Sequence, residues 1–226
     1  QDISNLIEHY QAGRFSDAEK LAKSISQQFP KHQFAWKMLG IIFGQTGRNY
    51  ESAHANEIAV ALSPKDAEAH SNLGNTQKVL GRLDKAVASY TQAIALEPNY
   101  AEAHSNLGVT LKEMGRLEEA VDSFKQAIAL KSDFADAMFN LSIVLSYMNN
   151  LKAEIVSLQN ILQINSNDYG LRARVKLAIC YFLNDDFMGS KKQMLAANKI
   201  QQKTLLKFKQ QKIYHGYLLN ILKWHE

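Results

Sequence analysis

The chain repeats itself almost letter for letter, since residues 67–100 and 101–134 are identical at 21 of their 34 positions. A Gly-Arg pair recurs at the same spacing, beginning at Gly13, Gly47, Gly81 and Gly115. A repeat of this length has room for two helices and a turn, and so small a unit cannot bury its apolar face alone. Successive helix pairs are therefore predicted to stack on one another.

Prolines and glycines indicate where the helices of each unit end. The three prolines of the chain, Pro30, Pro64 and Pro98, are each one repeat length apart. Each closes a unit because proline is excluded from a helix interior and disfavours the helical conformation in the residue before it. The glycine of each Gly-Arg pair lies in the middle of a unit, where a helix end tolerates a left-handed turn. The pattern predicts two helices per unit.

The residues between these marks resemble the tetratricopeptide repeat (TPR) family. The matching positions are Leu73, Gly74, Gly81, Ala86, Tyr90, Ala93 and Pro98, and in the next unit Leu107, Gly108, Leu111, Gly115, Ala120, Phe124 and Ala127. Gln77 departs from the pattern, since the family usually has an aromatic or apolar residue there. The resemblance implies an all-α fold: a right-handed α-solenoid of stacked antiparallel helix pairs, whose first helices line a concave groove.

The repeat divides the chain into six expected units. They comprise about residues 1–32, 33–66, 67–100, 101–134, 135–170 and 171–200. Residues 201–226 are expected to form a capping or linker helix, and the chain is expected to be a piece of a longer protein. In residues 33–66, Ser52 and Asn56 stand where alanine and an aromatic are expected, so looser packing is predicted around Asn56.

Catalytic and metal-binding motifs are not recognisable in the sequence. It lacks a P-loop, a glycine-rich dinucleotide fingerprint and HExxH, and the single Cys180 excludes a disulfide framework and a cysteine zinc site. His70 and His104 are one repeat length apart, and a metal could bridge equivalent positions. A packing role is favoured, since neither histidine has a second ligand on its own helix. We expect no enzymatic activity, no cofactor and no metal.

Charge is distributed unevenly along the chain. The net charge is +4; residues 170–226 carry eleven basic and three acidic residues, or +8, which leaves −4 for residues 1–169. A solvated terminal helix is the favoured explanation, with an acidic partner or an anionic surface as the alternative. Nucleic-acid binding is not expected, because no basic face with interleaved aromatics is apparent. No membrane span is expected either, and a cytoplasmic location is the expectation.

Asparagine recurs in register in the first helices, at Asn72, Asn106 and Asn140. An asparagine side chain offers both a donor and an acceptor, so it can pair with the backbone of an extended peptide without reading the peptide's sequence. In the similar TPR regions of O-GlcNAc transferases, asparagines at this position bind the peptide main chain. The alternative is that asparagine is only a tolerated surface residue in a recently duplicated repeat.

Five further residues are predicted to line the groove: Lys112, Phe139, Tyr147, Arg172 and Lys176. With Asn106 and Asn140, Arg172 and Lys176 match part of the carboxylate clamp of TPR proteins that bind chaperone C-termini. Glu102 stands where that clamp has a basic residue, and its charge would repel a carboxylate ligand. A working clamp is therefore not expected.

The function predicted from these residues is that of a non-catalytic protein–protein interaction module. It would bind an extended peptide or a partner protein in the concave groove. Two alternatives stay open: a substrate-recruiting TPR region of a larger bacterial enzyme, similar to a glycosyltransferase, and a self-association module that forms a homo-oligomer.

Overall fold

The computed structural model describes residues 2–164 and 167–205 of the chain. All regular structure in these two ranges is α-helical. The helices are α1 (Asp2–Gln11), α2 (Phe15–Gln28), α3 (Gln33–Gln45), α4 (Asn49–Leu62), α5 (Ala67–Val79), α6 (Leu83–Leu96), α7 (Ala101–Glu113), α8 (Leu117–Leu130), α9 (Ala135–Tyr147), α10 (Leu151–Gln163), α11 (Asn167–Leu183) and α12 (Phe187–Leu205).

The chain divides into two compact units, Gln1–Lys131 and Ser132–Glu226. The first contains α1–α8 and the second α9–α12. Within each unit every helix packs against the next one along the chain. In the first unit α5 also lies beside α3 and α7, and in the second α9 lies beside α11. First helices of successive pairs are therefore neighbours, and they form what we call the first-helix surface of each unit.

The turn inside each helix pair requires a left-handed backbone residue. Glycine takes this position in the first four pairs, with φ between +71° and +76°. In the last two pairs the position is held by Asn149 (φ 54°) and Asp185 (φ 57°). Asparagine and aspartate are the residues other than glycine that adopt this conformation most readily, so the turn persists after its glycine is lost.

A glycine on the first helix and a ring on the second hold each consensus pair together. A Cβ atom on Gly74 would lie 2.7 Å from Cε1 of Tyr90, and one on Gly108 would lie 2.9 Å from Cε1 of Phe124. Both rings are fully buried. The two helices can approach closely because the glycine leaves the ring its space.

The described helices include none that is long and apolar enough to cross a bilayer. The proposed capping or linker helix of residues 201–226 falls almost wholly outside the described residues, which end at Leu205. The division into a solenoid of residues 1–200 and a terminal helix therefore stays a prediction.

Candidate functional site

Asn106 on α7 is held in one orientation by the preceding repeat. Its Nδ2 donates to Oδ1 of Asn75 on α5 at 3.2 Å. The same oxygen accepts a hydrogen bond from the hydroxyl of Tyr90 at 2.7 Å. Burial, together with the charge of Glu113, raises the pKa of Tyr90 above its ordinary value, so this hydroxyl stays protonated and remains a donor. No described group donates to Oδ1 of Asn106.

Asn72 occupies the equivalent position on α5. Its Nδ2 is buried and has no hydrogen-bond acceptor among the described residues. Its main-chain oxygen accepts from Oγ1 of Thr76 at 3.1 Å, as that of Asn106 accepts from Thr110 at 2.8 Å. Both asparagines are half-buried and lie on neighbouring helices.

Acidic residues near the asparagines are paired with lysines. Nζ of Lys37 lies 2.5 Å from a carboxylate oxygen of Glu68 and 3.2 Å from one of Asp66. Burial alone would lower the pKa of Lys37, but the two carboxylates outweigh it and raise the pKa. Lys131 lies 3.4 Å from Glu102. The three carboxylates exceed these two lysines by one charge, and Lys112, half-buried on α7, is the predicted site residue that offsets it.

The second unit has an aromatic and cationic cluster of its own. The guanidinium carbon of Arg172 lies 4.6 Å from the ring centre of Phe139 and 5.6 Å from that of Tyr169. The two rings are 5.3 Å apart, and the Tyr169 hydroxyl donates to Asp136. Arg172 is exposed, so its guanidinium N–H groups are accessible to a ligand.

The remaining predicted residues of the second unit have different surroundings. Asn140 on α9 is half-buried, and Tyr147 at the end of α9 is 66% exposed. Nζ of Lys176 pairs with the carboxylate of Glu154, which is 4% exposed and stands where the repeat has alanine. A buried carboxylate needs a partner, so Lys176 is engaged inside the unit.

The equally spaced histidines have a structural explanation. Nε2 of His70 is hydrogen-bonded to the carbonyl oxygen of Pro64 at 3.0 Å, and that of His104 to Pro98 at 3.1 Å. Trp36 makes the same contact one unit earlier, donating to Pro30 at 2.9 Å. Each of these first helices thus satisfies the carbonyl of the proline that precedes it. Within the described residues no group of three His, Cys, Asp or Glu is placed to hold a metal ion.

Tyr169 is a site residue that the sequence pattern does not reveal. The 34-residue spacing does not place it, because the equivalent turn residues Asn149 and Asp185 on either side of it are 36 residues apart. Asn75 is not among the site residues predicted from the sequence, and in the structure it accepts the hydrogen bond that orients Asn106. Asn72 is the counterpart of Asn106 in the preceding repeat, and Asn75 lies one helical turn after Asn72. This one-turn spacing is the sequence signal that could have indicated the hydrogen bond between Asn75 and Asn106.

Family models confirm what the repeat positions indicate. Models described as "Tetratricopeptide repeat" match residues 6–67 and 101–134, and one described as "TPR repeat" matches residues 78–115. Together the matches span more than half of the 226 residues. The chain belongs to the tetratricopeptide repeat family. The resemblance to TPR repeats that the sequence indicates is thereby confirmed.

Solved TPR structures share the fold of this chain. PilF of Pseudomonas aeruginosa superposes with a TM-score of 0.78 at 14% identity, covering 97% of this chain and 96% of that one. PilW, a widely conserved type IV pilus biogenesis factor, gives 0.77 at 17% identity, covering 98% and 96%. YrrB, a TPR protein with an unusual peptide-binding site, gives 0.65 at 14% identity, covering 82% and 94%. At these identities the similarity shows the fold, and the predicted all-α TPR solenoid is confirmed.

Proposed function

We propose that this chain is a non-catalytic interaction module whose first-helix surface binds the main chain of an extended peptide or of an extended segment of a partner protein. TPR repeats typically serve as interaction scaffolds, because stacked helix pairs present a continuous surface of first helices. The observation that carries the proposal is the fixed orientation of Asn106, whose Nδ2 is bound to Asn75 while its Oδ1 has no donor among the described residues.

Binding in the first unit would use the asparagines as acceptors. The amide nitrogens of Asn72 and Asn106 are on the protein side, so the oxygens are the atoms offered to a peptide N–H. Each such hydrogen bond contributes about 0.5–1.5 kcal/mol. Because Asn75 already orders the Asn106 side chain, little further rotamer entropy is lost on binding. Lys112 would add an electrostatic contact to acidic peptides.

The second unit, taken by itself, would bind an extended segment through different chemistry. Asn140 supplies the amide, and Arg172, stacked on Phe139, presents its N–H groups to carbonyl or carboxylate oxygens. Exposed Tyr147 offers apolar contact. Lys176 is committed to Glu154, and this ion pair, like the presence of Glu102, favours main-chain recognition over a carboxylate clamp.

Self-association is a second candidate, because the last described helix pair exposes large apolar side chains. They are Phe182, Leu183, Phe187 and Met188, with exposures of 46%, 67%, 50% and 79%. Sedimentation velocity over a hundredfold range of concentration tests it. A mass that stays that of one chain across the range would reject a homo-oligomer. Recruitment of substrate for a larger enzyme is a further role that the same peptide surface could serve.

A peptide-library pull-down tests the main proposal. The wild-type chain is compared with the triple variant Asn72→Ala, Asn106→Ala, Asn140→Ala. A matched control replaces three exposed amides on second helices: Gln92→Ala, Gln126→Ala and Asn160→Ala. Circular dichroism establishes that all three proteins are equally helical. We expect the wild type and the control to retain the same peptides and the triple variant to lose them.

A further inference from the structure

A cavity of about 240 Å³ lies in the first unit, between α3, α4 and α5. It is lined by Gly40, Ile41, Gly44, Gln45, Asn49, Ser52, Asn56, Asn72, Asn75, Thr76 and Val79. All eleven are uncharged residues. A water molecule takes up about 30 Å³ in the liquid, so the cavity is large enough for a side chain or a cluster of waters.

The cavity arises where one repeat has lost its ring. Asn56 stands one repeat before Tyr90, and its Oδ1 would lie 2.1 Å from a Cβ on Gly40, just as the ring of Tyr90 lies against Gly74. Asparagine is much smaller than tyrosine and leaves part of that space empty. Gly44 adds to it, because the following repeats have the long side chains of Lys78 and Lys112 at this position.

Hydrogen bonds fix which way the Asn56 amide points. The Ser52 hydroxyl donates to the carbonyl oxygen of Gly40 at 2.7 Å, and that of Thr76 donates to Asn72 at 3.1 Å. Both hydroxyl oxygens are therefore acceptors, and Nδ2 of Asn56 donates to them at 3.4 and 3.0 Å. Oδ1 of Asn56 is left without a donor among the described residues, although the side chain is 2% exposed.

The cavity wall thus has one unpaired acceptor and one unpaired donor among the described residues, Oδ1 of Asn56 and Nδ2 of Asn72. Buried polar atoms are nearly always paired in folded proteins, and leaving one unpaired destabilises the protein. The two atoms belong to residues on different helices, and both residues line the cavity. A guest that brings a donor and an acceptor would satisfy both.

We propose that this cavity is a side-chain pocket of the peptide surface that accepts a neutral carboxamide, the side chain of glutamine or asparagine. A carboxamide carries an N–H₂ group for Asn56 and a carbonyl oxygen for Asn72. Both atoms are covered in the empty cavity, so the guest reaches them when the two amides turn about their broad terminal torsions. In that step Asn56 exchanges its hydrogen bonds to Ser52 and Thr76 for hydrogen bonds to the guest. The inference rests on the proposed peptide-binding function.

Other guests fit the wall less well. A charged side chain would be buried against uncharged residues with no counter-ion, which is costly. An apolar side chain would leave both polar atoms unpaired, and sites built to hydrogen-bond a polar group discriminate strongly against analogues that lack it. The pocket also borders the peptide surface, since Asn72 and Asn75 belong to both. A side chain of a bound peptide can therefore reach it.

The direct test uses N-acetylglutamine N-methylamide as the probe, followed by ¹H–¹⁵N NMR of the asparagine side-chain amides. The glutamate and norleucine counterparts of the probe serve as comparators. We expect saturable shifts of the Asn56 and Asn72 resonances with the glutamine probe, and at least roughly tenfold weaker binding of the two comparators.

A variant that fills the pocket provides the matched control. Gly44→Leu extends a side chain from a residue that lines the cavity, where its Cβ would meet only Oγ of Ser52, at 3.5 Å, and circular dichroism establishes that the variant is as helical as wild type. The control Lys78→Leu places a leucine at the equivalent position one repeat later, which does not line the cavity. Probe binding should disappear in Gly44→Leu and persist in Lys78→Leu.

The outcomes separate this pocket from the peptide surface as a whole. The pocket proposal is overturned by absence of saturable shifts, by equal affinity for the three probes, or by binding that survives Gly44→Leu. If the chain retains library peptides that show no enrichment of glutamine or asparagine at any one position, the pocket proposal is overturned. The proposed peptide binding is supported by the same result. Probe binding without any peptide retention would instead reject the proposed peptide-binding function.

Discussion

Asn106 Nδ2 donates to Asn75 Oδ1 at 3.2 Å, so the amide of one repeat is positioned by an asparagine of the repeat before it. The Tyr90 hydroxyl supplies a second hydrogen bond to the same oxygen. A surface residue that is ordered before the ligand arrives binds with a smaller entropic cost. The contact therefore links the packing of the repeats to the proposed recognition of a peptide main chain.

Removing Asn75 should weaken peptide binding without removing any atom that touches the peptide main chain. Asn75→Ala frees the Asn106 amide to rotate, and loss of one positioned hydrogen bond, about 1 kcal/mol, corresponds to roughly five- to tenfold in affinity. Fluorescence anisotropy with a labelled peptide recovered from the library measures this. The control Asn99→Ala changes an exposed loop asparagine and should leave the affinity unchanged. Unchanged affinity in Asn75→Ala would show that Asn106 needs no positioning.

The close approach of α5 and α6 predicts a large effect of a single methyl group. Gly74→Ala would place a Cβ 2.7 Å from the fully buried ring of Tyr90. Overpacking of this kind lowers the free energy of unfolding by about 1–3 kcal/mol. Gly44→Ala is the matched control, because its Cβ meets only Ser52 at an ordinary distance and alanine favours the helix. Urea unfolding should therefore move the two variants in opposite directions.

Left-handed turn residues predict a second stability difference. Gly81 has φ +71° and Asn149 has φ 54°. Gly81→Ala should lower the free energy of unfolding by about 1–2 kcal/mol, because an L-residue with a Cβ is strained in this conformation. Asn149→Gly should be neutral or raise it slightly, since the strain is relieved at an entropic cost. Thermal unfolding of both variants gives the comparison, and equal effects of the same sign would contradict it.

Restoring an aromatic residue at position 56 should stabilise the first unit and close its pocket. Asn56→Phe fills the space that Phe124 occupies in its own repeat and removes an unpaired buried acceptor. We expect the free energy of unfolding to rise by about 1 kcal/mol, measured by urea titration. Ser52→Ala combined with it restores the alanine of the consensus repeats and should add to the gain. Destabilisation by the double variant would mean that the polar cluster itself supports the fold.

Cys180 predicts a pH dependence of stability. Burial, and next the Glu154 carboxylate, raises the pKa of this thiol from 9.0 to about 12. The folded state therefore holds the proton more tightly than the unfolded state, and the contribution of the thiol is fully present below pH 9 and is lost as the pH rises from 9 towards 12. The difference in unfolding free energy between wild type and Cys180→Ala should be constant from pH 7 to 8.5 and shrink above pH 9. A difference that stays flat to pH 10.5 would contradict the raised pKa.

The repeat pattern is sufficient to predict the fold, because equivalent positions of the repeat determine the helix contact and the turn in each consensus helix pair. Gly74 and Tyr90 predict the close helix contact, and Gly81 predicts the turn, so the family and the helix pairs follow from the sequence alone. The equal spacing of His70 and His104 also follows from the repeat, since each bonds to the carbonyl of a proline six residues earlier.

Contacts that depend on departures from the repeat could not be predicted in this way. Lys176 forms an ion pair with Glu154, which occupies a position where the repeat has alanine. The burial of Glu154 depends on three-dimensional packing, which the sequence pattern does not specify. Tyr169 contacts Phe139 and Arg172 from a segment in which the spacing of the repeat changes from 34 to 36 residues. The sequence predicts looser packing around Asn56, but its hydrogen bonds and the cavity beside it depend on side-chain directions that no pattern specifies.

Peptide N-methylation tests the central claim most directly, because it removes the main-chain N–H groups from which Asn72 and Asn106 are proposed to accept hydrogen bonds. A peptide recovered from the library is methylated at one main-chain nitrogen at a time, and each form is titrated against wild type and against Asn72→Ala/Asn106→Ala. The account predicts at least roughly fivefold weaker binding of two methylated forms to wild type, and little further loss in the double variant, since the partners are already absent. Equal losses in both proteins, or none in either, would contradict main-chain recognition by these asparagines.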